Sequence, residues 1–184
     1  MATAETLLLT AKEFAKLPET DRPAELVRGR VIETNLPGTR HGKICANVAY
    51  CLRRYLEGND RGHVMSNDCG IVTQHDPDTV RGVDVCFYSY ARLPKGPVPL
   101  GYPSVVPDLA VEVRSPNDRW SAVLEKVAEY LKVGVSQVLV LDPETETVQI
   151  YSDKQSTLVL SADDILTLPE ILGDFEVPVR SLFA

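Results

Sequence analysis

The sequence predicts an α/β (α+β) domain built on a mixed sheet, and three observations carry that prediction. Apolar residues make up 44% of the chain and charged residues 24%, the balance of a globular protein. Apolar positions switch along the chain between helical spacings of three and four and short continuous runs, so helices and strands alternate. Residues 108–142 then read as strand, helix, strand, a unit that supplies a parallel crossover. With 184 residues the chain suits a single domain over 1–184 and is short for two.

Each element has a local reason. Thr10-Ala11-Lys12-Glu13 has capping-box spacing and opens a short helix to Leu17, ahead of Pro18. "AELVRGRVIET" reads as two strands turning at Arg28-Gly29. In "RHGKICANVAYCLRRYLEG", Ile44, Val48, Cys51, Leu52 and Tyr55 share one helical face, with Gly58 as the stop. His41 projects onto that face, while Arg53, Arg54 and Glu57 project away. Strands are expected at His63–Met65, Gly70–Thr73 and Val83–Tyr88, with "HDPDT" as the turn between the last two. "ARLPKGPVPLGYPS" holds four prolines and must be a loop.

The run "VVPDLAVEVR" is a strand covered on both faces, ended by Ser115-Pro116-Asn117-Asp118, which offers helix caps. Trp120, Val123, Leu124, Val127 and Leu131 form the stripe of the next helix, closed near Gly134. "QVLVLD" and "VQIYSD" are strands joined by "PETET", and the tail after them is irregular with short strand or turn pieces.

Composition narrows the function. Leu7-Leu8-Leu9 follows the acidic Glu5 and is neither a signal peptide nor a membrane span. Cys45, Cys51, Cys69 and Cys86 form no CxxC pair, which suits free thiols in a reducing cytoplasm. Neither these cysteines nor His63 and His75 have zinc-ligand spacing, and Trp120 reads as core. A net charge of −7 and a pI near 5.0 count against a high-affinity, non-specific DNA binder, and leave room for an enzyme with a small cationic rim.

The chemistry is concentrated in two apolar strands that carry acids. Asp84 lies in "GVDVCFY" and Glu112 in "DLAVEVR". If these strands are neighbours, the carboxylates converge and repel unless a proton or cation lies between them. Mg²⁺ suits such oxygen ligands, polarises a phosphoryl oxygen and acidifies a bound water. Lys126 is placed to orient that water or offset developing charge, or else its stem leans into solvent. The alternative is that Glu112 pairs with an arginine and Asp84 caps a turn.

Taken together, "ELVRGRVIE", "RHGKICANVAYCLRRYL", "DVCFYSYARLP", "PDLAVEVRSPND", "EKVAEYLKVGV" and "VLVLDPETETVQIY" resemble the bacterial putative restriction-endonuclease family of the PD-(D/E)XK nuclease superfamily, over about residues 20–155. The resemblance implies a restriction endonuclease-like core with a metal-dependent phosphodiesterase site. Asp84 and Glu112 would hold Mg²⁺, for which Mn²⁺ substitutes. Arg114 stands where the superfamily lysine usually follows, and Lys126 matches the relocated lysine on the next helix. Glu25 and His41 match further family positions near the metal.

Val83 replaces the proline usual before the aspartate, a change that removes no ligand. Alternation puts Arg114 on the face of Glu112, so it either stands in for the lysine as a fixed cation or pairs with Glu112 and silences the site. His41 reads equally as a packed core histidine, and Glu25 as a partner of Arg28 or Arg30. Asp108 is a structural cap, with a ligand role in reserve.

The expected function is therefore hydrolysis of phosphodiesters in DNA by a cytoplasmic, membrane-free homodimer. Arg40 and Lys43, with Arg53, Arg54 and Arg119, would form a phosphate-contacting rim. Two alternatives stand beside it: a catalytically silent binding or assembly module, and a metal-dependent hydrolase of a small phosphorylated substrate.

Overall fold

A computed structural model describes residues 8–18 and 22–184. Glu5 and Leu7, on which the reading of the N-terminus rests, lie outside the described residues. The first helix is α1 (Ala11–Phe14), opened by the Thr10–Glu13 capping box and continued by turns toward Leu17. Strands β1 (Ala24–Val27) and β2 (Arg30–Glu33) form the expected hairpin. Arg28 and Gly29 both take positive φ, 50° and 76°, the backbone of a two-residue turn that matches strand twist.

Helix α2 (Thr39–Gly58) buries Ile44, Val48 and Leu52, with Cys51 and Tyr55 half-buried beside them. Strands β3 (Gly62–Gln74) and β4 (Thr79–Ser89) follow as one long antiparallel pair. The sequence suggests two short strands, His63–Met65 and Gly70–Thr73, where β3 runs unbroken through Asn67 and Asp68. These two form a bulge: the ladder passes from Ser66↔Val85 to Cys69↔Val83, so two residues of β3 oppose Asp84 alone. Their φ values, 74° and 54°, lie in the left-handed region that Asn and Asp tolerate best.

Next come β5 (Leu109–Val113), α3 (Trp120–Lys132) and β6 (Gln137–Asp142). β5 and β6 are parallel neighbours, so the crossover read from the sequence is present. The buried stripe of α3 is Val123, Val127 and Tyr130; Leu124, expected in it, is 43% exposed. Strands β7 (Thr147–Tyr151) and β8 (Leu158–Leu160) complete the large sheet, in the order β2-β1-β4-β5-β6-β7-β8 with β3 against β4. The tail adds β9 (Ile165–Thr167), α4 (Pro169–Leu172), β10 (Glu176–Pro178) and α5 (Val179–Phe183), with β9 and β10 paired.

The result is a mixed sheet flanked by helices. One core joins α2 and the tail to Val85, Phe87, Val111 and Leu139. The other joins α3 to Cys86, Tyr88, Ala110 and Val140.

The two edges of β4 set up everything that follows. β3 covers one edge along its length. The other edge meets β1 at Leu26↔Val80 and β5 from Val85↔Val111 onward. Between those contacts the sheet forks, and Gly82 to Asp84 line the opening.

Candidate active site

Backbone groups in the fork must find partners away from the ladder. Gly82 donates its N–H to Glu25 Oε1 at 3.1 Å, and its carbonyl accepts from Lys126 Nζ at 3.2 Å. Val113 N–H goes to Asp84 Oδ2 at 2.6 Å. Side chains thus close the gap that the strands leave, and those side chains are charged.

Asp84 and Glu112 meet here. Continuing the Val85↔Val111 register by one pair sets them opposite each other. Each residue is buried, at 8% and 9% exposure. Burial pushes the Glu112 carboxyl up; Lys126 opposes this and the charge on Asp84 adds to it, leaving a pKa of about 7. Glu112 Oε1 accepts from the Tyr130 hydroxyl at 2.8 Å, and Oε2 lies 3.4 Å from Lys126 Nζ. Burial and the charge of Glu112 hold the Tyr130 hydroxyl well above the ordinary phenol range, so it remains a donor.

Lys126 comes from the second turn of α3 and points into the fork. Its ammonium lies 2.8 Å from Glu25 Oε1 as well as against Glu112 and the Gly82 carbonyl, which accounts for all three of its donors. Burial works against its charge, but Glu112 and Glu25 overcome that and raise its pKa further. It is a held cation and cannot serve as a proton acceptor near neutral pH.

Glu25, in β1, does not pair with Arg28 or Arg30 among the described contacts. It takes Lys126 on one oxygen and Arg81 on the other, at 2.9 Å. Arg81 in turn forks onto Glu129, at 2.7 and 2.8 Å.

His41 enters from the opposite face, in the first turn of α2. Its Nε2 lies 3.2 Å from Asp84 Oδ2 and its Nδ1 3.5 Å from Cys45 Sγ. Burial disfavours its charge, yet the hydrogen bonds to Asp84 and Cys45 and the Asp84 charge prevail and lift it to about 10. On the bulge, desolvation and then the charge of Asp84 push Asp68 up.

Arg114 is placed elsewhere. β5 ends at Val113, so strand alternation does not reach it. Its guanidinium pairs with Asp142 and Glu144, at 3.0 and 2.6 Å, and lies over the Trp120 ring. It therefore neither shares the Glu112 face nor neutralises Glu112. Asp108 is the structural acceptor expected, taking the Ser89 N–H and pairing with Arg92. Arg40 and Lys43 are exposed on α2, with Arg40 bonded to Glu146 at 3.0 Å.

Asp68, Tyr130, Arg81 and Glu129 belong to the site and were not anticipated. The one local signal was Asn67-Asp68, two residues fit for positive φ inside an otherwise extended stretch. The other three become visible only when β4 and α3 are packed together.

The donor set can be tested against a divalent ion. Glu25, Asp68, Asp84 and Glu112 are four carboxylates sharing His41 and Lys126, because Arg81 is divided with Glu129. At Glu112, burial and the neighbouring Asp84 charge outweigh Lys126 and hold the carboxyl near 7. Hard oxygen donors with unmet negative charge fit Mg²⁺ or Mn²⁺.

No curated protein matches the chain. Among solved structures it is similar to a crystal structure described as a putative nuclease from Anabaena variabilis ATCC 29413. The TM-score is 0.81 with 22% identity, over 95% of this chain and 97% of that one. At that identity the likeness shows the fold, a mixed sheet with flanking helices as in a nuclease. The family model described as "Uma2: Putative restriction endonuclease" matches residues 11–180, which span the fork and all the elements around it, and the chain belongs to that family.

Proposed function

We propose that the protein is a metal-dependent endonuclease that hydrolyses phosphodiester bonds in DNA, with Asp84, Glu112 and Lys126 at the catalytic centre. The observation that carries this reading is the buried fork itself. It gathers Asp84, Glu112 and Glu25 around one lysine and leaves the Glu112 charge incompletely met. Membership of the restriction-endonuclease family supports the nuclease class.

Asp84 and Glu112 would hold a Mg²⁺ ion, which would supply polarisation of the scissile phosphate and a more acidic water. The protein supplies the geometry. The Val113 N–H and protonated His41 fix the Asp84 carboxylate from two sides, both through Oδ2. Tyr130 fixes Glu112 through Oε1. Glu25 and Gly82 hold the Lys126 ammonium beside them, where it offsets negative charge that builds up on the phosphate. Since Lys126 keeps its proton, it orients and stabilises rather than abstracts.

Arg40 and Lys43, on the exposed side of the first turns of α2, supply phosphate contacts at the mouth. The four free thiols suit a reducing cytoplasm, no described helix is long and apolar enough to cross a membrane, and a homodimer would present two such centres to a duplex. The small-phosphate hydrolase and the silent module remain the readings to be beaten; the pairing of Arg114 with Asp142 removes one ground for the silent one.

The test is cleavage of plasmid and linear DNA with Mg²⁺ or Mn²⁺, with and without chelator. Asp84→Ala and Glu112→Ala should each lower the rate by at least about a hundredfold. Wild-type protein that cuts no DNA, beside a control nuclease that does, would overturn the reading.

A further inference from the structure

His41 and Cys45 stand four residues apart on α2, the spacing that puts two side chains on one helical face. That spacing also places metal ligands side by side, as in histidine pairs of zinc-binding helices. The cysteines do not have ligand spacing with one another, so this feature escapes a reading by cysteine count. β4 supplies the third member. One ligand atom each from His41, Cys45 and Asp84 lie within 4.8 Å of one another.

The three are half-buried or buried, at the mouth of the fork rather than sealed in a core. Both hydrogen bonds to Asp84 fall on Oδ2, from Val113 and His41, so Oδ1 is available to an incoming ion. Its chemistry differs from that of the fork. A sulfur, an imidazole nitrogen and one carboxylate oxygen form a borderline-soft set that favours Zn²⁺ over Mg²⁺, with a fourth position left for water.

We propose that His41, Cys45 and Asp84 form a binding site for a thiophilic divalent ion, Zn²⁺ being the natural occupant, which takes Asp84 from the hard-ion centre and so switches it off. Coordination replaces the Cys45 S–H proton and the ring proton of His41 by the ion, and both protons go to solvent. Asp84 cannot serve two such ions freely: an ion drawn toward α2 by the thiolate draws the carboxylate away from Glu112. The binding part stands alone; the inhibitory part rests on the nuclease reading.

Co²⁺, a spectroscopic stand-in for Zn²⁺, decides the binding part with the intact, metal-free chain. It should give a thiolate-to-cobalt charge-transfer band that Zn²⁺ bleaches stoichiometrically. Cys45→Ser and Cys45→Ala should abolish the band and lower the ratio of Zn²⁺ to Mn²⁺ affinity at least tenfold. Cys69→Ser is the control, because the Cys69 thiol, drawn down to about 7 by its hydrogen bond with Cys86, is the competing thiolate. That variant should keep the band.

Melting curves establish that each variant is folded, and the serine variant covers the case in which the alanine one is not. An absent band, a band that survives in Cys45→Ser, or one lost in Cys69→Ser instead overturns the proposal. In cleavage assays, Zn²⁺ should inhibit the Mg²⁺-supported reaction, and Cys45→Ala should need at least tenfold more. A protein with the Cys45-dependent band but no cleavage keeps the metal site and defeats the nuclease reading.

Discussion

At the scale of single residues, Glu112 and Lys126 carry opposite burdens. Glu112 is protonated more readily in the folded chain, about 7, than in the unfolded chain, 4.5. The native state therefore holds a proton that the unfolded state has given up, and stability falls as pH rises from about 4.5 to about 7. The loss from this group is at most about 3 kcal/mol, complete above pH 7 and absent below 4.5. Glu112→Gln removes the titration while keeping shape. In chelator it should melt several degrees above wild type at pH 8 and at nearly the same temperature at pH 4.5, at about 2 to 4 °C per kcal/mol. Equal melting at both pH values would show that the charge is already compensated.

Lys126→Ala acts in the other direction. It takes a fixed cation from between Glu25 and Glu112, so a divalent ion meets less repulsion there. Mn²⁺ should bind more tightly while cleavage slows by about two to three orders of magnitude, the range seen when one charge-stabilising group is removed from a site. Calorimetry and single-turnover rates measure the two sides separately. A variant with weaker Mn²⁺ binding and an unchanged rate would place Lys126 outside the chemistry.

At the scale of elements, α3 is more than the carrier of Lys126. One turn later it presents Glu129, which fixes Arg81 in β4 through a two-pronged contact and is itself bonded by Thr73 in β3. Arg81 then occupies one oxygen of Glu25 and leaves the other to Lys126. Glu129→Gln keeps the shape and weakens the grip, freeing Arg81 to compete for Glu25. The catalytic rate should fall about tenfold with KM little changed, since a small misplacement of a charged group costs rate before binding. Melting of the same preparation separates this from a folding defect: a KM increase with an unchanged rate would assign Glu129 to substrate binding instead.

The same elements show what a sequence reveals. The β1–β2 hairpin, the inner face of α2 and the β5–α3–β6 crossover follow from signals contained within each segment. The bulge in β3 does not, because Asn67-Asp68 has turn chemistry whether or not the ladder resumes beyond it. Leu124 fits the helical period of α3 but is left exposed while Val123, Val127 and Tyr130 take the inner face. Arg114 is misjudged by alternation because nothing in "VEVRSP" says that the strand ends at Val113 and that the next side chain turns to Asp142 and Glu144. Asp84, Glu112 and Lys126 were legible as acids and a base in apolar surroundings; Tyr130, Arg81 and Cys45 matter only through partners that arrive from other parts of the chain.

At the scale of the whole molecule, a chain of net charge −7 with an acidic fork would, on the nuclease reading, have to accommodate a polyanionic substrate. Attraction has to be local, and α2 is where it is available. Arg40, Lys43, Arg53 and Arg54 are exposed along that helix, whose first turn also delivers His41 to the centre. Three or four phosphate contacts give a logarithmic salt slope of about −3, so affinity should drop roughly sixtyfold between 50 and 200 mM salt. Lys43→Ala should lessen the slope by about one while leaving the rate at saturating DNA unchanged, as expected of a contact to phosphate alone. Arg40 is held by Glu146, so its removal should change the slope less. A hydrolase of small phosphorylated substrates would instead show almost no salt dependence, because there is no condensed counterion layer to release. Titrations of metal-free protein with a short duplex at several salt concentrations separate the two, and a flat slope would move the proposed substrate from polymer to small molecule, because only a polymer releases condensed counterions on binding.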